Sequence, residues 1–219
     1  MIKRNGSMGM SKGANMVNKK GTHFNSQTGK VNIQKHPWGL YSDYWEWMSP
    51  KDDELWHTNG RMNEIWQSGF DDTKRRPYIT QRWPEAFVEI HPDDAAKRGI
   101  ESGDKVMLYS DRVPYFKDTI KAVHGSDFQF DTLKKNGHIE LDKAAIESVA
   151  IVTPAVKQGV MYSNMLDTRQ PSNSLQGRVI DNISGNYNYK LGVCRVKKIG
   201  ESEYKKDFSK MSFAPRNVV

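Results

Sequence analysis

The sequence predicts a mainly β fold with short helices, and three observations predict it. Apolar and polar residues alternate over short runs, as in half-buried strands. Turn-forming Gly, Asn, Asp and Pro separate these runs at short intervals. No strand–helix–strand unit recurs, and no internal period is visible. About seven short strands with one or two short helices favour a closed or sandwiched β structure. A barrel is attractive because closure leaves no exposed sheet edges.

The elements follow in order. Residues 1–35 are rich in Gly, Asn, Ser and Lys and read as irregular. His36–Met48 gathers Trp38, Tyr41, Tyr44, Trp45 and Trp47, an aromatic plug for another surface or a cap on the chain's own core. Leu55–Arg61 reads as a strand closing on the turn signal Thr58-Asn59-Gly60-Arg61. Asp71–Arg82 reads as polar loop, and Ala86–Ile90 as a strand. A short helix is expected over Asp93–Arg98, with Pro92 near its first turn, acidic residues at its start and Gly99 as its stop. Gly103-Asp104 is a tight turn before a strand at Lys105–Ser110. Further β character lies at Thr119–Val123, Ile139–Leu141, Val149–Val156 (broken by Pro154) and Val160–Tyr162. Thr168–Asn186 reads as loop and Tyr189–Ile199 as a closing strand. The tail from Gly200 is charged and expected on the surface.

Composition narrows function. Hydrophobic residues make up 37% and mean hydropathy is −0.76, so part of the chain is expected to lie extended or rest on a partner. Six Trp and nine Tyr suit an interface as well as a core. A formal net charge of +7 favours anionic partners. The single cysteine, Cys194, excludes an intrachain disulfide and any Cys cluster with iron–sulfur or zinc spacing. It reads as a small buried hydrophobe. No apolar run is long enough to span a membrane, and Met1–Lys20 lacks the apolar stretch of a secretion signal. The six His residues show no zinc spacing, and His91 and Asp93-Asp94 read as helix-start devices. No serine-nucleophile signature is present.

Three ordered elements carry a family resemblance. The first is Phe87–Arg112, a strand–helix–Gly–strand unit. The second is Thr58-Asn59-Gly60-Arg61 followed by Asn63-Glu64, Trp66, Gln67 and Ser68. The third is Asn173-Ser174-Leu175, Asp181, Ser184-Gly185, Tyr189-Lys190 and the closing Gly192–Lys197. Together they resemble the C-terminal molybdopterin-dinucleotide-binding domain of the dimethyl-sulfoxide-reductase family, most of all in the arsenite oxidase large subunit. Phe24–Val31 and His36-Pro37-Trp38 resemble the lead-in to that domain. Gln67-Ser68-Gly69 departs from the His-Thr-Gly of many nitrate and formate enzymes. Val156–Arg169 matches no subgroup, which leaves the substrate open.

The resemblance implies a double-psi β-barrel with extended N- and C-terminal segments. It divides the chain into an irregular lead-in and aromatic segment packing on a partner (1–50), the dinucleotide-binding barrel (51–200) and a tail (201–219). It implies a molybdenum or tungsten bis-(molybdopterin guanine dinucleotide), shared with a partner chain. Thr58, Asn59, Gly60, Arg61, Asn63, Trp66, Gln67, Ser68, Asn173, Asp181, Tyr189 and Lys190 are the expected cofactor-binding residues. Amides offer both donor and acceptor to a pterin edge, and Arg61 and Lys190 suit pyrophosphate oxygens. Gly60 permits close backbone approach. Taken singly, Gly60 reads as a turn glycine, Arg61 as a surface cation, Asn173 as a turn former and Trp66 as core. Only their shared order points to the cofactor.

No residue here is assigned a catalytic or metal-ligating role. The family's iron–sulfur residues, metal-ligand position and substrate funnel are absent from these 219 residues. Redox chemistry on an oxyanion such as arsenite is therefore expected to need a larger iron–sulfur/molybdopterin partner subunit. A small Rieske-type or ferredoxin-like electron-transfer subunit is a further expected partner. Location is expected to be periplasmic, by co-export with the partner, or cytoplasmic. A basic β-barrel acting only in binding or assembly is the alternative. Nucleic acid is not an expected partner, since no RNA-binding motif accompanies the charge.

Overall fold

The computed structural model describes residue 30 and residues 46–62, 77–117, 130–165, 167–179 and 190–208. Chain contacts separate two units, Met1–Gly39 and Leu40–Val219, and every named strand and helix lies in the second. The expected strand at Thr119–Val123, the Asn63–Phe70 segment and Trp38, Tyr41, Tyr44 and Trp45 lie outside the described residues.

The mainly β expectation holds. Six strands close into a barrel: β1 (Leu55–Gly60), β2 (Phe87–Ile90), β3 (Asp104–Phe116), β4 (Ile139–Val152), β5 (Val160–Asn164) and β6 (Leu191–Glu201). Their order around the barrel is β1-β5-β2-β4-β3-β6, and β6 pairs back onto β1. β1 runs parallel to β5 and β2 parallel to β4, while the other neighbours are antiparallel. Among the described residues, short helices accompany the strands, including α1 (Pro77–Arg82), α2 (Pro92–Ala96), α3 (Phe130–Lys135) and α4 (Lys205–Phe208). A 3-10 turn spans Ser172–Leu175.

Alternation builds the interior, because successive strand residues point to opposite faces. Leu55 of β1, Val88 and Ile90 of β2, Val106 and Leu108 of β3 and Met161 of β5 are buried in one cluster, with Cys194 among them. The second cluster lies on the other face of β2 and β4. There Trp83, Phe87, Val149, Ile151 and Phe208 pack together, and the Trp83 and Phe87 rings stack at 4.6 Å.

Local chemistry sets the ends of α2. His91 is its N-cap and accepts from the Asp93 amide at 3.2 Å. Gly99 has φ +61° and Gly103 φ +90°, left-handed conformations that favour glycine. Asp94 is buried and its carboxylate accepts from the Gly159 amide at 2.6 Å, joining the helix to the start of β5.

Three local expectations need correction. Of the expected polar loop Asp71–Arg82, residues 77–82 form α1, where Pro77 fixes φ at the first helical position, and residues 71–76 lie outside the described residues. The β runs at Ile139–Leu141 and Val149–Val152 belong to one strand, β4, whose middle is polar because it pairs with β3 on an exposed ribbon, and residues 153–156, which the expected run included, lie beyond its end in a turn. The charged tail is not wholly on the surface: α4 buries Phe208 completely, and Lys205 reaches the buried Asp104 at 3.2 Å.

Candidate cofactor-binding site

The inward face of β1 changes character along its length. Leu55 is apolar, but His57 and Asn59 are polar, and all three are buried. Buried polar groups need partners, and the Ser172–Leu175 turn with the next residue, Gln176, supplies them. Asn59 Nδ2 donates to Asn173 Oδ1 at 2.7 Å and to Ser172 Oγ at 3.2 Å. Ser172 Oγ donates in turn to the Asn164 carbonyl at 3.2 Å. His57 lies one inward step deeper. Its Nδ1 accepts from Gln176 Nε2 at 2.7 Å, so its proton sits on Nε2, which donates to Ser163 Oγ at 3.0 Å. Burial lowers its pKa to about 4 and keeps the ring neutral.

Three polar atoms of this layer remain without a partner: Asn59 Oδ1, Ser174 Oγ and Gln176 Oε1, all shielded from solvent. Unpaired buried groups are costly and uncommon. Their concentration on β1 and one five-residue segment marks this end of the barrel.

The same end carries exposed cations. β6 runs antiparallel to β1 with Thr58 opposite Leu191, so Lys190 stands beside the end of β1 that leads to Arg61. Thr58 Oγ1 donates to the Lys190 carbonyl at 2.8 Å and fixes this junction. Both Arg61 and Lys190 are exposed. Gly60 lies under an aromatic ring: a Cβ there would stand 2.9 Å from the Tyr162 ring and hydroxyl, and that hydroxyl donates to the Arg61 carbonyl at 3.0 Å. Gly192 has a comparable role on β6, where a Cβ would overlap the Leu175 carbonyl oxygen. The turn is thus pressed directly onto β6.

Thr58, Asn59, Gly60, Arg61, Asn173 and Lys190 therefore gather at one end of the barrel. Asn63, Trp66, Gln67, Ser68, Asp181 and Tyr189 lie outside the described residues. Sequence reasoning missed His57, Ser172, Ser174 and Gln176. The available signal was the alternation that puts His57 and Asn59 on one face of β1. A cleft of about 420 Å³ near the other end of β1 sets Asp52, Asp53, Glu54 and Asp94 against Lys97 and Arg98, so acidic groups outnumber basic ones and the lining disfavours a polyanion.

Residues 55–114 match the family model described as the molydopterin dinucleotide binding domain. The chain carries a molybdopterin dinucleotide-binding domain of the dimethyl-sulfoxide-reductase family. This dinucleotide-binding domain is 41% identical over 200 residues to the iodate reductase subunit IdrA of Pseudomonas sp. (strain SCT), covering 90% of the chain and 22% of that protein. It is 42% identical over 200 residues to the IdrA of Denitromonas iodatirespirans, with the same coverage. Likeness to the arsenite oxidase subunit AioA of Herminiimonas arsenicoxydans is 33% over 88 residues, covering 40% of the chain and 10% of AioA. The chain thus spans about a fifth of the length of its iodate reductase relatives. Acetylene hydratase from Pelobacter acetylenicus superposes on 84% of the chain and 25% of its own at a TM-score of 0.44, with 11% sequence identity.

Proposed function

We propose that the polar end of the barrel holds the pterin and pyrophosphate portions of a bis-(molybdopterin guanine dinucleotide) cofactor in an oxyanion oxidoreductase. The supporting observation is the set of solvent-shielded atoms without partners: Asn59 Oδ1, Ser174 Oγ and Gln176 Oε1. A pterin edge carries N–H donors and ring acceptors, which such atoms can pair. Arg61 and Lys190 would meet pyrophosphate oxygens, Arg61 as a fork and Lys190 as a point charge. When bound, the group supplies the redox chemistry. This chain orients its ring edges and shields them from water. Asn63, Trp66, Gln67, Ser68, Asp181 and Tyr189 extend the proposed site.

We read the substrate as an oxyanion of the iodate or arsenite kind, since the relatives carry those names. We further read the barrel as double-psi, which its two parallel strand pairs support. The domain division is 1–50, 51–200 and 201–219. The remaining catalytic machinery, with its iron–sulfur cluster, belongs to a larger partner subunit that shares the cofactor, and a small electron-transfer subunit completes the complex. No described helix is long and apolar enough to cross a membrane. Our reading of the location is periplasmic by co-export with the partner, or cytoplasmic.

The test is to isolate the chain from its source, identify the chains that accompany it by mass, and count molybdenum, tungsten and guanine nucleotide. About one metal and about two guanine nucleotides per complex are expected for a bis-dinucleotide cofactor. A chain isolated alone, free of metal and nucleotide, contradicts the reading.

A further inference from the structure

We propose that His57 is a positioning residue for the cofactor, acting through Gln176 to fix the 172–176 segment that presents Asn173 and Ser174. The inference rests on the proposed function and deepens it. β1 grips the segment at two points. Asn59 holds Ser172 and Asn173, and His57, two residues earlier on the same face, holds Gln176. Between these points lies Ser174, whose hydroxyl has no partner. Opposite β1, the Leu175 carbonyl rests on Gly192, so the segment has little room to shift.

The histidine has a defined orientation. Its Nε2 proton is engaged by Ser163 of β5, which leaves Nδ1 as the acceptor for Gln176. Loss of that acceptor leaves a buried amide donor unpaired, and the amide then seeks a new partner by rotating. Such supporting hydrogen bonds orient the groups that touch a ligand without touching it themselves. A purely structural histidine would matter for stability alone. A positioning histidine matters for cofactor retention according to which ring nitrogen is replaced.

That difference defines the experiment. In the native assembly, His57→Asn keeps a polar group where Nδ1 stands, His57→Gln keeps one where Nε2 stands, and His57→Leu keeps neither. Three quantities are measured: the rate at which guanine nucleotide is lost on dilution, the melting temperature, and amide exchange in residues 173–176. We expect His57→Leu and His57→Gln to lose nucleotide roughly 3- to 10-fold faster, the span of one hydrogen bond, and His57→Asn to stay near wild type. If His57→Leu does not assemble, the contrast between His57→Gln and His57→Asn supplies the answer. Loss that follows melting temperature alone, with no difference between His57→Asn and His57→Gln, overturns the inference. Asn173→Ala separates the two levels. If it retains nucleotide as well as wild type, the proposed site itself fails. If it loses nucleotide while the His57 series does not, only the positioning role fails.

Discussion

Asn59 and Asn173, 114 positions apart in sequence, meet through a 2.7 Å hydrogen bond that joins the end of β1 to the 3-10 turn. Both N–H groups of Asn59 are used, while its carbonyl oxygen is left over. The donor side therefore builds the site and the acceptor side remains for a ligand. Asn59→Asp should remove the donors and set a charge against Asn173 Oδ1. We predict a loss of about 1–3 kcal/mol, read by denaturant unfolding. Unchanged stability would mean that the pair does not hold the turn.

Gly192 and Gly200 both lie in β6 but in different surroundings. A Cβ at Gly192 would overlap the Leu175 carbonyl, whereas one at Gly200 meets nothing within 4 Å. Gly192→Ala should cost about 1–3 kcal/mol through overpacking, and Gly200→Ala should be near neutral. Equal effects in thermal unfolding would contradict the close seating of the turn.

Arg112 ties the 47–54 segment to β3. It donates to the Trp47 carbonyl at 2.6 Å and the Ser49 carbonyl at 2.9 Å, and it pairs with the buried Glu54. Burial pushes the Glu54 pKa up. Hydrogen bonds from Arg112 and the Lys51 amide, with the charges of Arg112 and Arg195, outweigh it and bring the carboxyl below its usual value. Arg112→Met removes the main partner and leaves Arg195 at 3.7 Å. A loss of about 3–5 kcal/mol is expected, together with a rise in the Glu54 pKa visible by carboxyl NMR. A stable variant with Glu54 unshifted would refute this account of the clamp.

Stability should depend on pH through His57. Its pKa falls from 6.5 to about 4 on folding because burial disfavours the imidazolium. The unfolded chain then binds a proton that the folded chain refuses between those values. Stability is full above pH 6.5 and declines as pH falls toward 4. The whole effect is on the order of 3 kcal/mol. Glu54 and Asp104 carry lowered pKa values, so their contributions are lost only at lower pH, below the ordinary carboxylate range. His57→Gln should flatten the part of the curve between pH 4 and 6.5. An unchanged curve would show that His57 is free to protonate.

Much of the fold was legible because its inner strands alternate. Leu55–Gly60, Phe87–Ile90 and Val160–Asn164 are short and each appears in the sequence as a strand, with Leu55–Gly60 burying alternate residues throughout. The outer half of β3 and the polar middle of β4 were not legible, although Ile139–Leu141 at the start of β4 was. These stretches pair with each other, and Asp142, Lys143 and Ala145 are exposed while only Ala144 of that run packs against the core, so no apolar alternation marks the strand. Pro114 is tolerated there because only its carbonyl is needed, and it accepts from the Arg178 amide at 2.7 Å. α1 is too short to display a helical period, and α4 has Phe208 as its one buried residue.

The site was legible where a turn signal fell at a strand end, as in Thr58–Arg61. It was hidden where partners come from distant parts of the chain. Nothing local to Gln176 points to His57, 119 positions away. Ser172 and Ser174 look alike in sequence, yet the Ser172 hydroxyl is engaged by Asn59 and Asn164 while the Ser174 hydroxyl is left without a partner.

Ser174→Ala in the native assembly tests the central claim most directly, with guanine nucleotide retention and cofactor-free stability measured side by side. Ser174 Oγ is buried without a protein partner, so its removal should leave the cofactor-free assembly equally or slightly more stable. If the cofactor completes this atom, the same change should speed nucleotide loss roughly 3- to 10-fold. Unchanged retention alongside unchanged or improved stability would contradict the account, because the hydroxyl would then be an unpaired group that no cofactor uses.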